Sequence, residues 1–184
     1  MGKKMRVLWF SITSALYGSQ QNKFHGGGWI ESLQRSVMAH NEMDLGIVFI
    51  SSDENATIKK EGRITYYPLF IKRTFFDKIR DLYTYKYYDS IAIKKYLEII
   101  KDFNPDLIQV FGSEWNFGLI KPYVAVPIII HMQGFWPEYR NSGFPPGFSK
   151  IDYILARWYK PTSPLNRYLE DLKSKERAKR EEKI

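Results

Sequence analysis

Three short segments carry residues whose types and spacing could do chemistry. His131 closes the apolar run Val126-Pro127-Ile128-Ile129-Ile130 and is followed by Met132-Gln133-Gly134. An imidazole there can donate a hydrogen bond to a sugar hydroxyl or to a departing phosphate, or can be a hydrogen-bonded structural group. Glu114 stands in Gly112-Ser113-Glu114-Trp115, just after the apolar run ending at Phe111. It could orient a hydroxyl or act as a base; as an acid at a helix start it would equally complement the dipole. Gly26-Gly27-Gly28 precedes a helical pattern. Glycines let backbone approach a ligand, and a helix start offers free N–H groups to a phosphate, although a tight turn explains them too. The triplet is neither Gly-x-Gly-x-x-Gly nor a Walker sequence, so a standard dinucleotide or ATP site is not indicated.

Two further stretches invite attention. Gln133 to Lys150 carries Phe135, Trp136, Tyr139, Phe144 and Phe148 among Gly134, Pro137, Gly143, Pro145, Pro146 and Gly147. Rings on a stiffened loop suit contact with carbohydrate or lipid, or plain packing over a core. Lys72, Arg73, Lys78, Arg80 and Lys86 interleave with Phe75, Phe76, Tyr83, Tyr85, Tyr87 and Tyr88. That mixture describes a peripheral membrane surface, a platform for single-stranded nucleic acid, or a solvated face.

Positioning these groups requires a scaffold, and the element order supplies one. Met5–Ser11, Leu45–Ile50, Leu107–Phe111 and Val126–His131 read as buried strands, and Arg63–Tyr67 as a shorter strand ended by Pro68. Trp29–His40 has helical spacing, with Ile30, Leu33 and Val37 on one stripe and Gln34 off it. Ser90–Phe103 has a second stripe of Ala92, Tyr96, Ile99 and Phe103, stopped at Asn104-Pro105. A short helix is predicted from Glu114 towards Ile120. Ser163-Pro164 reads as an N-cap serine and first-turn proline opening a last helix, whose later charges, such as Glu176 and Arg180, suit a solvated surface. The alternation predicts an α/β fold: a Rossmann-like, mostly parallel sheet flanked by helices. Such a sheet binds ligands outside the carboxyl ends of its strands, where His131, Glu114 and the long Ile12–His25 connection all fall.

Composition narrows the class. The 184 residues, 44% hydrophobic and 26% charged, suit one globular domain. The absence of cysteine excludes disulfides, thiolate metal sites and a cysteine nucleophile, and three histidines make a multi-His metal site hard to build. The net charge of +8 points to an anionic partner: a nucleotide, a nucleic acid, a phospholipid surface or a sugar phosphate. The mixed signs near the carboxyl end argue against a nucleic-acid tail. Aromatic residues reach 16%, with 13 Tyr, 12 Phe and 5 Trp, which suits stacking on sugars or a membrane interface as well as a ring-rich core. No run approaches the ~18 apolar residues of a membrane span, and no signal peptide is read, so a cytoplasmic protein is expected.

The order Gly26-Gly27-Gly28, Asn104-Pro105-Asp106-Leu107-Ile108-Gln109-Val110-Phe111-Gly112-Ser113-Glu114-Trp115 and Ile129-Ile130-His131-Met132-Gln133-Gly134 resembles the N-terminal half of a GT-B glycosyltransferase. Within that fold it looks like the retaining family 4 group, in the bacterial cell-wall and capsule polysaccharide branch, and the resemblance extends over nearly the whole chain. The resemblance implies an N-terminal, acceptor-side Rossmann-like domain over residues 1–184. A C-terminal nucleotide-sugar domain carrying two glutamates separated by seven residues would then be absent from this chain, and no glutamate pair here has that spacing.

It further implies transfer of a sugar from a nucleotide-sugar to a saccharide or lipid-linked saccharide in surface polysaccharide synthesis. The nucleotide-sugar would be a substrate, with no cofactor and no metal required. The chain alone would be nearly inactive. Gly26, Gly27 and Gly28 would approach the donor diphosphate, and His131 would lie near the transferred sugar. Glu114 would lie in the cleft, and Gln133, Gly134, Trp136 and Tyr139 would contact substrate. The protein would be cytoplasmic, with peripheral contact at the inner face of the membrane as a further expectation. Two other readings stay open: a stand-alone module binding a nucleotide or sugar phosphate, and a basic adaptor for RNA or a membrane surface.

Overall fold

A computed structural model describes residues 4–18, 28–40, 43–72, 74–77, 79, 87–113, 115–144, 146–156, 159–160 and 162–184. Its centre is a six-stranded sheet of β1 (Arg6–Ser11), β2 (Asp44–Ile50), β3 (Lys59–Glu61), β4 (Ile64–Leu69), β5 (Leu107–Phe111) and β6 (Ile128–His131). The order across the sheet is β3-β4-β2-β1-β5-β6. All neighbours are parallel except β3, which runs antiparallel to β4. The helices are α1 (Gly28–His40), α2 (Tyr87–Phe103), α3 (Trp136–Asn141), α4 (Lys150–Leu155) and α5 (Ser163–Glu181), with a 3-10 helix at Asn116–Tyr123. This is the α/β, Rossmann-like arrangement the alternation predicts.

The period of two along each strand divides the core between the two faces of the sheet. Leu8 and Phe10 of β1 point to a cluster with Ala92, Tyr96, Ile100 and Phe103 of α2 and Phe117 and Ile120 of the 3-10 helix. Val7 and Trp9 point the other way, towards Ile30 of α1, Ile47, Phe49 and Tyr66. Both faces of the central strands are covered, which is why they read as unbroken apolar runs. At Gly46 the two layers meet closely: a Cβ there would lie 2.6 Å from Leu8 Cδ1 and 3.0 Å from a Phe103 ring carbon.

Several expected details differ. Pro68 does not end β4 but lies inside it, opposite Phe49 of β2. β3 pairs only with Ile64–Tyr66, so beyond Tyr66 the strand has no ladder on that side for proline to interrupt. Gln34 is fully buried rather than off the stripe, because its side-chain amide donates to Tyr66 Oη at 2.6 Å and its carbonyl accepts from Leu16 N–H at 3.2 Å. The α2 stripe runs through Ile100, with Ile99 only half-buried. The helix expected after Glu114 is 3-10 in form, with Pro122 inside it. Thr162, not Ser163, is the N-cap of α5.

The largest departure concerns the end of α5. Arg180 and Glu181, expected on a solvated face, are 8% and 6% exposed. Arg180 makes a forked pair with Asp89 at the start of α2, Nη2 lying 2.9 Å from Oδ1 and 3.0 Å from Oδ2. Asp89 also accepts from the Asn116 amide at 3.0 Å, and Asn116 accepts from Tyr96 Oη at 2.8 Å. A buried charge requires this degree of satisfaction. Glu176 pairs instead with Lys179.

Candidate functional site

In a sheet of this order the chain leaves β1 in one lateral direction and β5 in the other. Sheets of this kind place their ligands where the order reverses, here at the carboxyl ends of β1 and β5. Ser11 and Phe111 end those strands, and His131 ends the neighbouring β6. The start of α1 reaches the same edge. The Trp29 ring, next to Gly28, lies 5.5 Å from the His131 ring and 5.3 Å from Phe111, which in turn meets Trp9 edge-on at 5.1 Å. A run of rings thus leads from the buried sheet to the imidazole at its rim.

His131 itself is exposed. It is paired in register with Phe111, and its backbone carbonyl accepts from Gly112 N–H at 2.9 Å. Its ring packs against those of Trp29 and Phe111, at 5.5 and 6.1 Å. Gly28 is the first residue of α1, with open space where a side chain would begin. Gly26, Gly27 and Glu114 lie outside the described residues.

The segment after β6 is not the single long loop that its glycines and prolines suggest. It folds into α3, with Pro137 in the first turn, and then α4, opened by a capping box. The Ser149 hydroxyl and backbone N–H both bond the Asp152 carboxylate at 2.6 Å, and these bonds hold Asp152 below the usual carboxylate range. The short α3 brings Gln133, Gly134, Trp136 and Tyr139 around one hollow of about 380 Å³. The Tyr139 ring lies directly on Gly134: a Cβ at position 134 would be 2.6 Å from Tyr139 Cε2. Glycine there is a steric requirement for that ring position.

One residue that holds this region had no local signal in the sequence. Glu181 reaches from α5 to the end of β5. Its Oε1 is 3.0 Å from Ser113 Oγ and its Oε2 accepts from Trp136 N–H at 2.6 Å, while Ser113 Oγ lies 3.2 Å from the Gly134 carbonyl. The carboxylate therefore fixes the opening of α3 and the orientation of the hollow beside it. Its charge pattern alone looks like surface; only a partner 68 residues away in sequence marks it.

The basic, ring-rich stretch at 72–88 is described in part. Lys72 pairs with Glu54 at 3.1 Å, and Phe75 and Phe76 stand exposed with ring centroids 6.1 Å apart. Arg73, Lys78, Arg80, Tyr83, Tyr85 and Lys86, and the side chains of Tyr87 and Tyr88, lie outside the described residues. Among the described residues no group of three or more His, Asp or Glu side chains is gathered as a metal ligand set, and no helix is long and apolar enough to cross a membrane.

The fold is a Rossmann-like α/β unit whose strand order reverses between β1 and β5, the form of one half of a GT-B-like fold. Among solved structures the chain is similar to sucrose-phosphate synthase from Thermosynechococcus elongatus, with a TM-score of 0.54 and 7% sequence identity. The likeness covers 83% of this chain and 39% of that one, so the chain spans about two-fifths of that enzyme's length. At such identity the likeness is one of fold. No protein-family model matches the sequence, and no curated protein matches it.

Proposed function

We propose that the chain is the acceptor-side half of a retaining glycosyltransferase, in the manner of the family 4 enzymes of surface polysaccharide synthesis. The reaction moves a sugar from a nucleotide-sugar to a hydroxyl of a saccharide or lipid-linked saccharide. The bond between the sugar's anomeric carbon and the diphosphate breaks, and a bond from that carbon to the acceptor oxygen forms. The acceptor's proton leaves with the diphosphate. The residues at the rim have parts to play in this step. The N–H groups at the start of α1, with Gly26, Gly27 and Gly28, face the diphosphate and offset its growing charge without a metal. His131 donates to the transferred sugar. Gln133, Gly134, Trp136 and Tyr139 seat the acceptor, and Glu114 belongs to the cleft between the halves. The donor's main pocket lies on a second domain, and the basic, ring-rich sequence at 72–88 suits a lipid-linked acceptor held at a membrane face.

The single observation that carries this reading is the hollow formed by Gln133, Gly134, Trp136 and Tyr139, in the segment that follows His131 at the carboxyl edge of a parallel sheet. Two rings, an amide and a bare backbone suit a sugar's apolar face and its hydroxyls. The test is to titrate the chain with oligosaccharides while following backbone resonances, and to assay it with nucleotide-sugars. Shifts at Gln133, Gly134 and Tyr139 without turnover are expected. Robust transfer by this chain alone, or saccharides that leave those resonances unmoved, would overturn the proposal.

A further inference from the structure

A second cavity, of about 540 Å³, opens between α3, α4 and α5, and has Trp136 and Tyr139 as walls in common with the hollow already described. We infer that the two are successive subsites for one saccharide chain, so that the acceptor is an oligosaccharide of at least two sugar units rather than a single sugar. This rests on the acceptor reading above and names the class of acceptor.

The second cavity repeats the chemistry of the first with different residues. A sugar resting against Gly134 and Tyr139 leaves Phe144 and Tyr153 for the next unit. Those two rings stand 5.9 Å apart, tilted at 53° to one another. Tyr153 is held before any ligand arrives. The Arg167 guanidinium lies 4.8 Å from its ring centroid, and Arg167 Nη1 donates to its backbone carbonyl at 2.6 Å. Phe144 is 40% exposed and offers ring surface to a ligand. The polar part of the lining lies on α5. Glu170, Lys173 and Ser174 follow i, i+3, i+4 spacing and so share one face of that helix. They supply a carboxylate that accepts, an ammonium that donates and a hydroxyl that does both, which is what a ring of sugar hydroxyls requires. Arg140 of α3 and Lys150 of α4 meet at Asp171 of α5, at 3.3 and 2.5 Å, so one carboxylate ties the three walls to one another. A cavity fixed in this way binds without a large cost of ordering its walls. Each cavity has the volume of an ordinary ligand site, and Tyr139, 60% exposed, bounds both. A chain of sugars that meets Tyr139 from the Gly134 side therefore meets Phe144 and Tyr153 with its next unit.

The experiment titrates the chain with mono-, di- and trisaccharides of glucose, galactose, mannose and N-acetylglucosamine, and with their phenyl glycosides, following the backbone resonances of residues 133–139, 144, 153 and 170–174. At least one disaccharide is expected to bind ~10-fold or more tighter than its constituent sugars, the gain from burying one further ring face. Monosaccharides should shift residues 133–139, and the second unit should add shifts at Phe144, Tyr153 and Ser174. Phe144→Ala should remove most of that gain, whereas Ile151→Ala, a change at an exposed α4 residue outside both cavities, should keep it. Equal affinity for one and two sugar units, with shifts confined to 133–139, would overturn this inference and leave the acceptor reading standing. So would a gain that Phe144→Ala does not touch. Phenyl glycosides that match the gain of every disaccharide would overturn it in favour of a pocket for any apolar group. Failure of every saccharide to shift residues 133–139 would remove the acceptor reading as well.

Discussion

The sheet and the α3–α5 flank are both ordered, but different forces hold them. In the sheet, side chains such as Leu8, Phe10, Leu45 and Val48 are fully buried, and order comes from apolar packing on two faces. In the flank, Tyr139, Phe148 and Leu165 are 60%, 63% and 61% exposed. Order there comes from a few polar anchors: Arg180 on Asp89, Glu181 on Ser113 and Trp136, and Arg140 with Lys150 on Asp171. Packing of the first kind resists change of any volume. Anchors of the second kind leave the ring faces free, which is what a ligand surface needs.

The contrast can be broken most sharply at Arg180. Arg180→Ala leaves Asp89 charged and enclosed, and should cost about 3–5 kcal/mol, the penalty for removing one member of a buried pair. Hydrogen exchange should show α5 losing its protection while β1, β2 and β5 keep theirs; an even loss across the sheet would mean that the flank is part of the core. Gly46→Val tests the sheet in return. Its new side chain meets Leu8 and Phe103, and overpacking of this kind costs about 1–3 kcal/mol, read as a lower denaturation midpoint with every probe moving together.

Tyr67→Phe sharpens the comparison at the border of the core. The Tyr67 hydroxyl donates to Asp102 at 2.6 Å, and its loss should cost about 1 kcal/mol. Burial, reinforced by that carboxylate, raises the phenol well above its ordinary value. The raised folded value means this contribution is present below about pH 10, where the unfolded phenol is also neutral. It is lost progressively above that pH, as only the unfolded chain ionises readily. The native protein should therefore lose stability above about pH 10 by more than Tyr67→Phe does. The smallest effect on folding is expected at the rim. His131→Ala and Tyr139→Ala should change stability by less than ~0.5 kcal/mol. Under the proposed function, His131→Ala should nevertheless lower sugar transfer once the chain is joined to a donor-binding domain, and Tyr139→Ala should weaken saccharide binding by this chain. Unchanged kinetics would return His131 to a purely structural place.

What could be read from the residues follows the same division. β1 and β2 carry long apolar runs, β5 is apolar but for Gln109, and α1 and α2 carry apolar stripes, so burial is written into local pattern. β3 is Lys59-Lys60-Glu61, an exposed edge strand with no apolar residue to mark it. The α3 and α4 helices are six residues each, shorter than any period can establish, and sit among prolines and glycines that look like loop. Gln133, Gly134, Trp136 and Tyr139 stood out by type, yet only the turn of α3 sets them around one hollow. Gln34, Arg180 and Glu181 were hidden because a polar residue advertises solvent until its distant partner is known. Tyr66 lies 32 residues from Gln34, and Asp89 lies 91 from Arg180.

The adjacent Arg180 and Glu181 bind two separate parts of the fold, one through Asp89 to α2, the other through Ser113 and Trp136 to the turn after β5 and to α3. The last turn of α5 thereby ties three elements together at one point, and the place of α3's first residue depends on a carboxylate carried by a helix 45 residues further along the chain.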